Sequence, residues 1–165
     1  MSKVLFASPQ EMTRATMIGG NVDTDKYLMC IENTQIRTIR PLLGSDLYNK
    51  IIADIITDTL SGLYLELVND YVKPITLYES CSDFLAIAPY TLTNGGLYKN
   101  NPENVQLVDK KEVDILSEMH ASTAQTFVND FERWIELNKE NIPEYNYNQN
   151  GIKPTETKLN NTFYF

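Results

Sequence analysis

Residues that usually carry chemistry are scarce in this chain. Its 165 residues include two cysteines, one histidine and one tryptophan. Cys30 and Cys81 lie far apart, each in an apolar helical context, so we expect buried free thiols and a reducing compartment rather than a disulfide. Two cysteines and a single histidine without close spacing also do not make a zinc-binding pattern.

Long apolar runs are absent as well. No run approaches the ~20 residues that a membrane-spanning helix needs. The apolar stretch near Met1 is too short for the core of a signal peptide. The sequence therefore predicts a soluble protein that is made in a cytoplasm and has no membrane partner.

Basic residues are outnumbered by acidic ones. The chain has 14 Lys and Arg against 22 Asp and Glu, which gives a formal net charge of -8. No basic run is present, and this argues against a protein that grips nucleic acid by neutralising phosphates. It is compatible with a protein that lies beside DNA without holding it. Hydrophobic residues make up 42% of the chain, enough for one domain with its own core.

Catalytic and nucleotide-binding motifs are not found either. Gly-x-Ser-x-Gly and His-Glu-x-x-His do not occur, and the glycine pairs at 19–20 and 95–96 lack the lysine and Ser/Thr of a phosphate loop. His120 falls on the apolar stripe of the last predicted helix, which is typical of a core histidine. We predict that the chain is not an enzyme and binds no cofactor or metal.

Two pairs of carboxylates have the residue type of a metal site, but each pair also has a structural explanation. Asp23 and Asp25 can be explained as helix caps near a favourable helix dipole. Asp54 and Asp58 lie one helical turn apart, as expected for the solvated face of a helix. A metal-dependent nuclease that uses Asp54 and Asp58 is the enzyme hypothesis that competes with this interpretation.

Helical periodicity is what the sequence does have, over most of its length. Residues 8–11 form a capping box that opens a first helix, which should stop at the glycines 19–20. Asp23 or Thr24 caps a second helix, and this helix should break at Arg40–Pro41 because the residue before proline disfavours the helical conformation.

Three further helices follow. Ser45 is predicted to cap the third, whose apolar residues recur on one face up to Ile56. Ser61 opens the fourth, in which we expect a kink at Pro74. The fifth and longest should run from about Asp109 to about Glu140, roughly 45 Å at 1.5 Å per residue.

Residues 90–99 read as a small β-hairpin with an Asn-Gly-Gly turn. A lone two-stranded hairpin is marginal in water, so we predict that it projects and touches another chain. The alternative is a hairpin folded back on its own helices.

From residue 143 onward the helical period is lost. Aromatic residues are spaced along polar, Asn-rich sequence, which suits an extended segment that docks on a partner; the alternative is an unbound flexible tail. Removing residues 143–165 should then spare the fold. The predicted contact residues in the hairpin and the tail are Leu92, Asn94, Gly95, Gly96, Leu97, Tyr98, Tyr145, Tyr147, Ile152, Phe163, Tyr164 and Phe165.

The predicted architecture is therefore mainly α. It is a helical bundle of about four to five helices at 1–142, with one projecting β-hairpin, followed by an extended C-terminal tail at 143–165. The unusual segments of this architecture point outward and favour assembly over catalysis.

Four segments resemble a family of phage head-to-tail adaptor proteins. The family is common in tailed phages of Bacteroidetes hosts, including the crAss-like phages. The similarity covers roughly residues 23 to 147, and it depends on the order and spacing of the segments rather than on one signature; the sequence after Gly151 departs from the family. The segments are NTQIRTIRPLLGSDLYNK (33–50), LYLELVNDYVKP (63–74), TNGGLYKNN (93–101) and NIPEY (141–145).

The resemblance implies a head-to-tail connector subunit in the neck of the virion. About twelve copies would form a ring below the portal protein, complete the DNA-filled head and join it to other neck or tail proteins. DNA would pass through the lumen without specific binding, and the subunit would occupy the host cytoplasm during assembly. The alternative from a different class is a monomeric helical binding module, such as a tail-assembly chaperone or a host-directed regulator.

Overall fold

The computed structural model describes residues 4–18, 22, 24–93, 96–99 and 109–155, with backbone alone at 24, 26, 91–93 and 96–99. The chain is mainly helical, as predicted. The predicted helix stop at 19–20 and the predicted cap Asp23 lie outside the described residues.

The first helix, α1 (Pro9–Ala15), begins with the predicted capping box. The Ser8 hydroxyl accepts from the Glu11 amide at 3.2 Å, and the Glu11 carboxylate accepts from the Ser8 amide at 2.8 Å. The two residues thereby satisfy each other's free backbone donors, which fixes the start of the helix.

The predicted break at Arg40–Pro41 is wrong. Helix α2 (Thr24–Thr34) continues through a π-helical turn (Gln35–Ile39) into α3 (Arg40–Leu43). The Arg40 amide donates to the Gln35 carbonyl, five residues back. Proline in an α-helix clashes with the carbonyl four residues before it, and the wider π turn relieves that clash.

A second π turn precedes Pro74. Helix α5 (Gly62–Leu67) passes through a second π turn (Val68–Val72) into α6 (Lys73–Ile87), and the Lys73 amide donates to the Val68 carbonyl. Where the sequence predicts a kink, the structure thus has an inserted turn. Each proline is the second residue of the α-helix that follows its π turn.

Helix α4 (Ser45–Ile56) begins one residue differently from the prediction. Gly44, with φ 78° and ψ 161°, occupies the cap position, and Ser45 is the first helical residue. The Ser45 hydroxyl accepts a hydrogen bond from another segment of the chain instead. The predicted cap at Ser45 is therefore wrong.

Two short strands follow α6. Strand β1 (Tyr90–Thr93) pairs antiparallel with β2 (Gly96–Lys99), with Leu92 opposite Leu97. That this element projects and touches another chain stays a prediction.

The last long helix matches its predicted extent. Helix α7 (Lys110–Asn138) starts at a capping box between Asp109 and Glu112. A short 3-10 turn (Lys139–Asn141) and a four-residue helix, α8 (Pro143–Asn146), follow.

Helix α6 packs against both α2 and α7. Tyr71, in the π turn that leads into α6, meets Phe131 and Trp134, whereas Tyr78 on α6 meets the earlier residue His120. The two helices are therefore antiparallel. Among the described residues, buried apolar side chains form two clusters. The larger consists of Phe6, Ile39, Leu42, Leu43, Leu47, Ile51, Leu67, Val68, Val72, Ile75, Phe131, Trp134, Ile135 and Ile142.

The segment at 143–155 departs from the predicted extended tail. It forms α8 and then returns across the start of α4, where hydrogen bonds hold it to the helical domain. We call residues 143–155 the strap. The physical reason is that free amide groups at a helix N-terminus need acceptors, and the polar Asn-rich sequence supplies them.

Candidate functional site

The strap caps the N-terminus of α4. The Ser45 amide donates to the Ile152 carbonyl at 2.7 Å, and the Asp46 amide donates to Asn148 Oδ1 at 2.8 Å. These amides have no acceptor within their own helix. The capping function that sequence reasoning gave to Ser45 is thus performed by residues about a hundred positions later.

The start of α4 also holds the backbone of the strap. One oxygen of the Asp46 carboxylate accepts from the amides of Gln149 at 2.7 Å and Asn150 at 3.2 Å. These bonds, chiefly the one from Gln149, hold the pKa of Asp46 below its usual range. The Ser45 hydroxyl accepts from the Ile152 amide at 2.8 Å.

Two glycines allow the close approach. A Cβ on Gly44 would lie 2.7 Å from Pro154 Cδ, and one on Gly151 would lie 2.6 Å from Ser45 Oγ. Both residues have positive φ, at 78° and 70°, where side chains are disfavoured. The strap therefore fits its seat because neither position carries a side chain.

Three of the predicted contact residues lie in the strap. Tyr145 is partly buried on its own chain, with its ring 6.2 Å from that of Phe131. Ile152 is tied to α4 through its backbone, and 41% of it is exposed. Tyr147 is 67% exposed. Tyr145 thus serves the core of its own domain, whereas Tyr147 is accessible for a partner.

The strand pair β1–β2 carries the other described contact residues. Gly96 pairs with Thr93, Leu97 with Leu92 and Tyr98 with Thr91. The predicted contact residues Asn94, Gly95, Phe163, Tyr164 and Phe165 lie outside the described part of the chain. The structure therefore brings Leu92 and Leu97 together by register and leaves the terminal aromatics untested.

A groove of about 500 Å³ runs over α6, between the end of the α2–α3 helix and α7. Arg37 and Pro41 belong to one wall, Glu79 and Asp83 to the α6 side, and α7 forms the opposite wall. The residues that α7 contributes are mostly small or apolar: Ala121, Ala124, Gln125, Val128 and Glu132.

Arg37 organises the charges at this groove. Its guanidinium contacts Glu79 at 2.7 Å and Asp83 at 2.8 Å, and the Thr38 hydroxyl donates to Glu79 at 2.6 Å. The hydrogen bond to Glu79 is the main cause that raises the pKa of Arg37. The groove therefore presents more carboxylate than guanidinium, since Glu132 lies on its opposite wall.

The strap ends at the mouth of this groove. The amide and the hydroxyl of Thr155 both donate to the Pro41 carbonyl, at 3.0 Å and 3.2 Å. Thr155 and Pro41 both line the groove. Thr155 therefore lies where the groove opens.

The histidine and the two cysteines of the chain are buried. His120 is 6% exposed, its Nε2 has no hydrogen-bond partner among the described residues, and burial lowers its pKa. Cys30 and Cys81 are buried and free, as predicted, and burial raises the pKa of Cys30 to about 11. In the part of the chain that the structure describes, no three side chains of the metal-binding types come together, and no helix has the length and apolarity to span a bilayer.

A family model with the description "family of unknown function (DUF6712)" matches residues 39–155. The chain belongs to this family. The match ends at Thr155, the residue that closes the strap onto Pro41, so the strap is part of the family's common region. Neither the curated proteins nor the solved structures contain a match to the chain.

Sequence reasoning missed the strap and its seat. The run Asn-Gln-Asn-Gly at 148–151 is a turn signal. Nothing local connected it to Ser45 and Asp46. The network around Arg37 was missed for the same reason, because its partners are more than forty residues away.

Proposed function

We propose that this protein is a structural subunit of the head-to-tail connector of a tailed phage. It assembles as a ring below the portal protein, completes the DNA-filled head and joins it to the tail. The observation that carries the proposal is the two-stranded sheet β1–β2, in which neither strand has a second partner among the described residues.

A two-stranded sheet leaves one row of backbone donors and acceptors free on each outer edge. Such edges pair with a strand of another chain. Ring assembly needs this kind of contact, because one patch of a subunit must meet a different patch on its neighbour. The principal contacts of each strand are with the other strand, so an edge can pair without disturbing the helices.

Apolar side chains at the base of the hairpin support the same role. Ile87, at the end of α6, is 41% exposed, and Tyr90, at the start of β1, is 45% exposed. Burying such side chains against a neighbour adds roughly 25 cal/mol per Å² of apolar surface. The outer strand edge would thus set the orientation of the neighbouring subunit, and burial of Ile87 and Tyr90 would add binding energy.

The acidic charge suits a subunit that surrounds DNA. With a net charge of -8, the chain repels phosphates instead of releasing their counterions. DNA can then slide through the lumen of a ring without being captured.

The test is a copy-number measurement on purified particles of the phage that encodes the chain. Quantitative mass spectrometry should find this chain at about the copy number of the portal protein, with density beside the portal vertex in electron micrographs. Absence of the chain from mature particles would overturn the proposal. A non-structural protein of the same phage serves as the negative control for carry-over.

The groove over α6 favours the second candidate, a monomeric binding module such as a tail-assembly chaperone or a host-directed regulator. A groove between helices is a common seat for a peptide or helix of a partner. The same experiment separates the two candidates. A chaperone or regulator is made in infected cells but is missing from mature particles.

A further inference from the structure

We propose that the groove over α6 binds residues 156–160 of this same chain, and that it thereby directs the last five residues to the hairpin end of the molecule. The occupant is the chain's own C-terminal segment, with Leu159 as its apolar anchor. This inference does not rest on the proposed function, since it concerns the isolated subunit.

The path of the strap carries the first step. Its contacts move steadily backward along the α3–α4 region: Asn148 meets Asp46, Ile152 meets Ser45, Pro154 reaches Gly44, and Thr155 donates to Pro41. One further turn back along the helix lie Arg37 and Thr38, which line the groove. A chain that continues in this direction enters the groove at residue 156.

The groove has the right length for five residues. On α7 its lining runs from Glu132 to Ala121, which is about 16 Å at 1.5 Å per residue. Five residues in an extended conformation span about the same distance at ~3.3 Å each. Residues 161–165, which include Phe163, Tyr164 and Phe165, would then lie beyond the far end, where α6 leads into β1.

The chemistry of the segment matches the lining. Its sequence is Glu-Thr-Lys-Leu-Asn. Leu159 can pack on the apolar side chains of Ala124 and Val128, which line the groove. Lys158 adds a positive charge to a groove in which the carboxylates of Glu79, Asp83 and Glu132 outnumber the guanidinium of Arg37. Glu156 leaves the segment with no net charge, so its apolar anchor is Leu159.

Proximity selects the chain's own segment over the same segment of a second copy. Thr155 is already fixed at the mouth of the groove by two hydrogen bonds. Closing so short a connection costs little loop entropy, and the effective concentration of the segment is in the millimolar range or above. A second copy would have to displace it.

The test uses paired cysteines in the full chain. Leu159→Cys is combined with Gln125→Cys, which lies in the groove, or with Thr126→Cys, the next residue of α7, which does not line the groove. Both α7 positions are exposed, and the native Cys30 and Cys81 are buried. Disulfide formation under mild oxidation is followed on non-reducing gels at a concentration where the chain is monomeric.

We expect an intramolecular disulfide that forms at least about tenfold faster in the groove pair than in the control pair. Equal rates in the two pairs would overturn the proposal, and disulfide-linked dimers would assign the groove to a second copy instead. If the groove pair does not fold, Leu159→Asp gives the answer by hydrogen exchange. It should speed exchange of the amides at 156–160, and Thr162→Asp should not; equal exchange in both would contradict the proposal.

Discussion

Ser45 and Ile152 exchange two hydrogen bonds. The Ser45 amide donates to the Ile152 carbonyl at 2.7 Å, and the Ile152 amide donates to the Ser45 hydroxyl at 2.8 Å. The pair joins the first residue of α4 to a segment near the end of the described chain. Because each residue satisfies the other's backbone, the start of α4 and the strap should open together when the protein unfolds locally.

Gly44→Ala should destabilise the protein strongly. Gly44 has φ 78° and ψ 161°, a conformation nearly restricted to glycine, and the added Cβ would meet Pro154. We expect a loss of about 2–4 kcal/mol in the free energy of unfolding, measured by urea denaturation. Gly62→Ala is the control. Its φ is also positive, but no atom of the described residues lies within 4 Å of the new Cβ, so a loss of about 1 kcal/mol is expected. Equal losses in the two variants would contradict the close contact with Pro154.

Acid should loosen the strap through Asp46. Its hydrogen bonds lower its pKa in the folded state, so the carboxylate contributes stability above its unfolded pKa and loses it as pH falls through the lowered folded pKa. Hydrogen exchange of the amides at 149–150 should accelerate over that range. In Asp46→Asn these amides should exchange faster already at neutral pH, with a weaker acid dependence. Asp114→Asn, on the exposed face of α7, should behave like the natural chain.

His120→Phe should stabilise the protein and remove part of its pH dependence. The Nε2 atom of His120 is buried without a partner in the part of the chain that the structure describes, and its ring stacks on Tyr78 with centroids 6.0 Å apart. Phenylalanine can keep the stacking without the unpaired atom, for a gain of about 1 kcal/mol at neutral pH.

The pH dependence of the natural chain follows from the lowered pKa of His120. The unfolded chain binds this proton more readily, so stability falls as pH drops below about 6.5, the unfolded value. Thermal unfolding between pH 7.5 and 5.5 should show a smaller decrease in Tm for His120→Phe. An unchanged decrease would mean that His120 does not titrate in this range.

Gly95→Val should impair assembly while sparing the helices. The sequence places Gly95 in the Asn-Gly-Gly turn, where a β-branched residue is disfavoured if φ is positive. Circular dichroism should show nearly unchanged helical content, and native mass spectrometry should show fewer oligomers. Ser122→Val, on α7, is the control. Global unfolding of Gly95→Val would mean that the hairpin belongs to the domain's own core.

Two truncations should differ sharply. Ending the chain at Thr155 should cost only the groove contacts that we propose for residues 156–160, because the strap is retained. Ending it at residue 142 removes Tyr145 from Phe131 and uncovers the amides of Ser45 and Asp46. We expect the free energy of unfolding to fall by several kcal/mol, at about 1 kcal/mol or more for each buried interaction that the truncation removes. Equal stability of the two truncated chains would contradict the role of the strap.

Local signals predicted the elements well and their connections poorly. The capping box at Ser8 was predicted because both partners lie within three residues. The equally local box at Asp109, where only the start of the helix was predicted, was missed. The stripe on α7 was readable because His120, Phe131 and Trp134 repeat with the helical period. The helix break predicted at Pro41 was wrong. Proline usually ends a helix, and the residues before it carry no sequence signal for a π turn.

The strap was invisible for another reason. Its sequence is as polar as that of a free tail. Its contribution to stability comes from hydrogen bonds with Ser45 and Asp46, which lie about a hundred residues earlier in the chain. A single sequence carries no record of that pairing. The glycines at 44 and 151 read as ordinary turn residues, although each is needed because another segment approaches it closely.

Each π turn contains one residue more than an α-helical turn, and this extra residue is needed because a proline follows. Deleting one residue between Gln35 and Ile39 would restore α-helical spacing and bring the ring of Pro41 against a carbonyl again. The deletion should therefore be tolerated only together with a change of Pro41, and the same holds for Val68–Val72 and Pro74. Members of the family with a shorter turn should accordingly lack the imino acid.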